Sequence, residues 1–148
     1  MRIDWLILLS IHMILFYVCY TDIRWRKITN RASLLLCLLS LLLGFLRPEG
    51  PSLILPAIMF FGGFLISTLG LMGAGDVKLA CALAVALLPE EIGRFLLLTG
   101  MAGIPLSIVI FIYYRMFRRQ DKVTVPYGVA IASGYGLLWL FQSSFSLL

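Results

Sequence analysis

Apolar residues fall in six runs along the chain, covering approximately 5–20, 33–46, 53–72, 77–88, 95–117 and 125–140. A run of that length and apolarity, set in lipid, has only the helix as a way to satisfy its own backbone. The pattern therefore predicts an all-α polytopic membrane protein with about six transmembrane helices. Some runs are shorter than the ~20 residues that cross a bilayer, so their polar flanks are expected to continue the helices. The breaks Arg47-Pro48-Glu49-Gly50-Pro51 and Pro89-Glu90-Glu91 carry turn and helix-stop chemistry. The run 77–88 stands out. At ~1.5 Å per residue it makes about 18 Å of helix, against a hydrocarbon core of ~30 Å. Immediately before it comes Met72-Gly73-Ala74-Gly75-Asp76-Val77-Lys78-Leu79, which places a carboxylate at or inside the membrane edge. A charge there costs on the order of 2.5–3.5 kcal/mol by insertion scales, and marks a functional site by default.

Composition sharpens this picture. The chain has 148 residues, of which 61% are hydrophobic, and a mean hydropathy of +1.03. A soluble chain of that size has no interior large enough for so much apolar surface, and no polar stretch is long enough for a second domain. Residues 1–148 are expected to form one membrane-embedded domain. In a soluble protein the net charge of +5 would point to nucleic acid; here the cations sit in short loops, and no nucleic-acid partner is expected. Numbering the loops alternately puts Arg24, Arg26, Lys27, Arg31, Lys78, Arg115, Arg118, Arg119 and Lys122 on one side. The other side holds Arg2, Arg47 and Arg94 with Asp4, Glu49, Glu90 and Glu91. The positive-inside rule then puts both termini outside, and the loops bearing Asp22 and Asp76 in the cytoplasm. The stretch 115–122 serves topology, with contact to anionic membrane lipids as a lesser reading. Trp5, Trp25 and Trp139 read as interfacial anchors. Cys19, Cys37 and Cys81 lie in apolar runs without ligand spacing, so no metal is implied. The N-terminus lacks a basic n-region and a cleavage site, and the first run reads as a retained helix.

The chemistry-bearing residues gather at the cytoplasmic ends. Asp22 closes the first helix and Asp76 opens the fourth, so both lie at the same face. Two carboxylates that approach each other do not both ionise easily, and such a pair supplies a base for water and an acid for a carbonyl. The competing reading pairs each aspartate with a nearby cation, such as Asp22 with Arg26 one turn on. Gly73 and Gly75 clear side chains from around Asp76; Gly62, Gly63 and Gly70 extend a small-residue stripe whose plain role is helix packing. Lys78, two residues from Asp76, does not share its helical face and reads as an anchor or local electrostatic tuner. Val125-Pro126-Tyr127-Gly128 opens the last helix and leaves backbone groups free for a partner. His12, in the middle of the first helix, is expected to make an interhelical hydrogen bond.

Asp22 with Ile28 and Asn30, then Gly73-Ala74-Gly75-Asp76-Val77-Lys78-Leu79, then Pro126-Tyr127-Gly128, resemble the type IV prepilin leader peptidases, membrane aspartic proteases of the G-x-G-D class. The resemblance implies that Asp22 and Asp76 are the catalytic pair, with Gly73, Gly75, Lys78, Asn30, Pro126 and Gly128 shaping the site. It also implies no cofactor, and a pilin-like precursor as substrate, with a short basic leader cut on the cytoplasmic side of the plasma membrane. The family often has Ile-Pro-Asn where this chain has Ile28-Thr29-Asn30, a change expected to loosen that turn. Long members carry an N-terminal region with paired C-x-x-C motifs and an N-methyltransferase activity. The first helix here begins at about Trp5, so the expectation is a peptidase without methyltransferase, similar to the compact members of Flp/Tad-type pilus systems. The alternatives outside this class are a small transporter or proton relay through Asp22, Asp76 and His12, and a non-catalytic subunit of a membrane assembly.

Overall fold

The computed structural model describes residues 2–70, 72–117 and 125–145. These residues form six helices and no strand: α1 (Arg2–Trp25), α2 (Asn30–Leu46), α3 (Ile54–Thr68), α4 (Ala74–Ala84), α5 (Pro89–Phe117) and α6 (Tyr127–Phe145). The polar flanks do continue α1, α2, α5 and α6 beyond their apolar runs. By contrast, α3 stops early, at a turn where Gly70 takes φ +74°. The basic positions Arg118, Arg119 and Lys122 lie outside the described residues.

The short helix α4 sits at the centre. It packs on α2, α3 and α6, while α1 packs on α2 and α6, and α5 lies along α6. Val77 and every residue from Leu79 to Ala84 are buried. Where α3 crosses α4, a Cβ on Gly63 would lie 2.5 Å from a Val77 methyl, so only glycine fits that approach. The core joins Ile11, Leu15 and Val18 of α1, Leu36 of α2, Leu79 and Leu83 of α4, Phe95 of α5, and Ile131 and Tyr135 of α6. Around it the usual arrangement is inverted. Phe16, Phe45, Ile54, Phe61 and Met116 point outward, each about 70% exposed, a surface suited to lipid rather than water. Two helices, Ile3–Trp25 and Pro89–Tyr113, are long and apolar enough to cross a membrane.

At 11 residues, α4 rises only about 16 Å, and the carbonyls at its C-terminal end need partners inside the bundle. The loop between α2 and α3 supplies them. Ser52 N–H donates to the Val85 carbonyl at 3.1 Å, and Arg47 Nη1 to the Ala86 carbonyl at 3.0 Å. The same guanidinium forks onto Glu91, at 2.6 and 2.9 Å. Glu91 in turn accepts from Leu88 N–H at 2.8 Å, which closes the first turn of α5 behind Pro89, and from Gln142 of α6. Arg47 also lies 5.3 Å from the centre of the Trp139 ring. Trp139 is thus packed against a charged cluster, while Trp5 and Trp25 stay exposed as anchors would. The charges Arg47 and Glu91 are legible in the sequence as loop residues; that they meet as a largely buried pair is set by the packing.

Removing one partner of such a pair leaves an uncompensated charge. Arg47→Ala should therefore cost about 3–5 kcal/mol, read by thermal or denaturant unfolding in detergent. The double replacement Arg47→Met with Glu91→Met should cost less than Arg47→Ala alone; an additive pair of losses would count against the buried ion pair.

Candidate active site

The ends of α1, α4 and α6 away from the Arg47–Glu91 pair bring together residues more than a hundred positions apart. Asp22 lies one turn before the end of α1 and is buried. Its Oδ2 accepts the Gly128 N–H at 2.8 Å. Gly128 is the second residue of α6, so a carboxylate from one helix occupies the N-terminus of another, where the dipole and the unpaired N–H groups favour an anion. The approach needs glycine: a Cβ at position 128 would lie 2.7 Å from that same Oδ2. The free backbone groups expected at the start of α6 thus find their partner in Asp22. Pro126, buried just before α6, has its carbonyl taken by Val129 N–H at 3.2 Å and so sets where the helix begins. The Tyr127 ring turns away, onto Gly103 of α5.

Asp76 is in the first turn of α4, half-buried. Its carboxylate folds back over Gly73, where a Cβ would lie 2.6 Å from Oδ2. Asp76 directly follows Gly75, which faces Ile28, and Ile28 also faces Gly128, the donor to Asp22. The two expected site carboxylates therefore border the same loop side chain, and among the described residues the Asp22 carboxylate accepts from Gly128, not from the Arg26 side chain. Arg26 instead ends α1 with a left-handed backbone, φ +54°, and its N–H donates to the Asp22 carbonyl at 3.0 Å.

Between the first turns of α4 and α6 stands Ile28. A Cβ on Gly75 would meet Ile28 Cβ at 3.2 Å, and a Cβ on Gly128 would meet Ile28 Cδ1 at 3.3 Å. Gly75 thus makes room for this loop side chain rather than for Asp76 itself. The next residue, Thr29, caps α2 with its hydroxyl, which accepts the Ala32 N–H at 3.3 Å. Threonine thus supplies an N-cap oxygen that proline lacks. A threonine just ahead of an apolar helical run is a helix-start signal present in the sequence, whereas nothing in the sequence pattern pointed to the contact of Ile28 with both glycines.

Lys78 and Asn30 join across α4 and α2, Lys78 Nζ donating to Asn30 Oδ1 at 3.2 Å on an exposed edge. That bond assigns the lysine a neighbour its own helix could not provide. Beneath it a cleft of about 510 Å³ runs between α2, α3 and α4, walled by Cys37, Pro56, Phe60, Cys81 and Val85. His12 does not make the interhelical bond expected of it. Its Nδ1 is 2.8 Å from the Leu8 carbonyl of its own helix, because a mid-helix side chain reaches the preceding turn more readily than a neighbouring helix; only its ring contacts Tyr135 of α6.

These features define a helical protein with an apolar outer surface and two aspartates at one end of the bundle. Its sequence matches the model of the type IV leader peptidase family over residues 8–108, and the chain belongs to that family. It is accordingly a membrane protein of a peptidase family, and the matched stretch contains both Asp22 and Asp76. Comparison with curated proteins and with solved structures gives no match.

The geometry at Gly128 makes a stability prediction. Gly128→Ala drives a methyl against the Asp22 carboxylate and should destabilise by about 1–3 kcal/mol. Gly62→Ala, where a Cβ meets nothing within 4 Å, should be neutral or stabilising by up to about 1 kcal/mol. Thermal unfolding in detergent compares the two; equal effects would mean that the close approach at Gly128 is not tight.

Proposed function

We propose that this chain is an aspartic endopeptidase of the plasma membrane that removes the short basic leader from pilin-like precursors, with Asp22 and Asp76 as its catalytic pair. The observation that carries the reading is the placement of these two aspartates, from helices far apart in sequence, around one loop side chain, Ile28, at one end of the bundle. One carboxylate, ionised, takes a proton from water as the water oxygen bonds to the scissile carbonyl carbon, and the other, protonated, donates to the carbonyl oxygen. The tetrahedral diol then collapses, the C–N bond breaking as the amine takes the proton from the first carboxyl group and the diol returns one to the second. The Gly128 N–H holds Asp22 in place for this. A helical peptide bond is shielded by its own hydrogen bonds, so the substrate must be extended at the cut; Gly73 and Gly128 let the two carboxylates lie directly on the backbone there.

Residues 1–148 act as one domain of six membrane segments. The cation bias places the dyad at the cytoplasmic face and both termini outside. A proton-relay reading is disfavoured by His12: it lies ten residues before Asp22, about 15 Å along α1, and Nδ1 is engaged with a backbone carbonyl.

Co-expression with a pilin-like precursor encoded near the gene tests the proposal through the mobility shift of the mature pilin. Wild type should cleave. Asp22→Asn and Asp76→Asn, both still membrane-inserted, should each lose about 10²–10⁴-fold in rate, the range for a lost acid–base group. Cleavage at the wild-type rate by either variant would make that aspartate structural and refute the dyad.

A further inference from the structure

We propose that Ile28 is a positioning residue whose side chain sets the separation of the two aspartates; this rests on the reading of Asp22 and Asp76 as the working pair. The contacts are of an unusual kind. One side chain meets glycine backbones on two different helices, Gly75 on α4 and Gly128 on α6. Each of those glycines is tied to one carboxylate. Asp76 directly follows Gly75, and Asp22 accepts the Gly128 N–H. The two surfaces that Ile28 holds apart are thus the two surfaces that carry the acids.

An ordinary core residue is surrounded by side chains that hop or shift when its size changes. Here two glycines leave nothing to yield, so the width of the side chain at position 28 is passed directly to the backbones of α4 and α6. Isoleucine suits that task. Branching at Cβ stiffens χ1, which fixes the part of the side chain that meets Gly75. The chain also pins it on both sides: the Arg26 N–H bond to the Asp22 carbonyl ends α1, and the Thr29 cap starts α2. Ile28 is therefore the middle of a short, anchored strap rather than a free loop residue.

The size of residue 28 should then tune turnover without tuning binding. In the full chain, Ile28→Val should keep most of the cleavage rate. Ile28→Ala and Ile28→Phe should each lower kcat by at least about tenfold, with KM within about twofold, since a misplacement of about 1 Å can cost on the order of 10²-fold. A second readout needs no substrate. With Cys19, Cys37 and Cys81 replaced by serine, spin labels at Ala74→Cys and Ser133→Cys report the distance between α4 and α6. Ile28→Ala should shorten it and Ile28→Phe lengthen it, with Ile28→Val between wild type and alanine. Distances that stay constant across the series, or a loss carried wholly by KM, would overturn the spacer role. If wild type cuts no pilin-like precursor, the peptidase reading fails, and the label distances still decide the spacer.

Discussion

Everything in this bundle depends on how backbone polar groups are satisfied at helix ends that lie among apolar side chains. A helix of 11 residues does not reach across ~30 Å of hydrocarbon, so both of its ends must find partners within the protein. The C-terminal end of α4 is met by Ser52 and Arg47 from the α2–α3 loop. The N-terminus of α6 is met by Asp22 from α1. In each case a side chain of the appropriate sign sits on a helix end, positive at a C-terminus and negative at an N-terminus. The same solution thus appears at opposite ends of the molecule, once for stability and once at the site.

Placing the site on such a helix end has a chemical consequence. Asp22 is buried, and a buried carboxylate is costly unless it is hydrogen-bonded. The Gly128 N–H offsets part of that cost and fixes the orientation of one oxygen. Asp76, by contrast, is only half-buried and turned over Gly73. Two chemically identical side chains therefore occupy different surroundings, which is the condition under which one of a pair serves as acid and the other as base.

The loop between α1 and α2 links these features. It is four residues long between the helix bounds, yet it contains the strained Arg26, the Ile28 wedge and the Thr29 cap. Such a short connection, held at both ends by hydrogen bonds, transmits the position of α1 to α4 and α6 with little slack. The exposed Lys78–Asn30 bond lies just beyond it and ties α4 to the start of α2. Because that pair is exposed, its contribution to stability is expected to be well below that of the buried Arg47–Glu91 pair.

The sequence by itself determined the helices and which residues could do chemistry. Six apolar runs required helices, and the shortness of the fourth put Asp76 near its start, because length and apolarity act locally and need no knowledge of neighbours. The two aspartates, the glycines of Gly73-Ala74-Gly75 and the Pro126-Tyr127-Gly128 turn were legible for the same reason. Only the tertiary structure decided the pairings. That Asp22 would take the Gly128 N–H rather than Arg26, that Lys78 would find Asn30, that Arg47 would fork onto Glu91, and that His12 would turn to its own helix are matters of which helix lies beside which. The first three of these contacts span 44 to 106 positions in the chain, and no local periodicity encodes them. The role of Ile28 belongs to that second class: the sequence marks it only as part of a motif, and the packing alone brings two glycines against it.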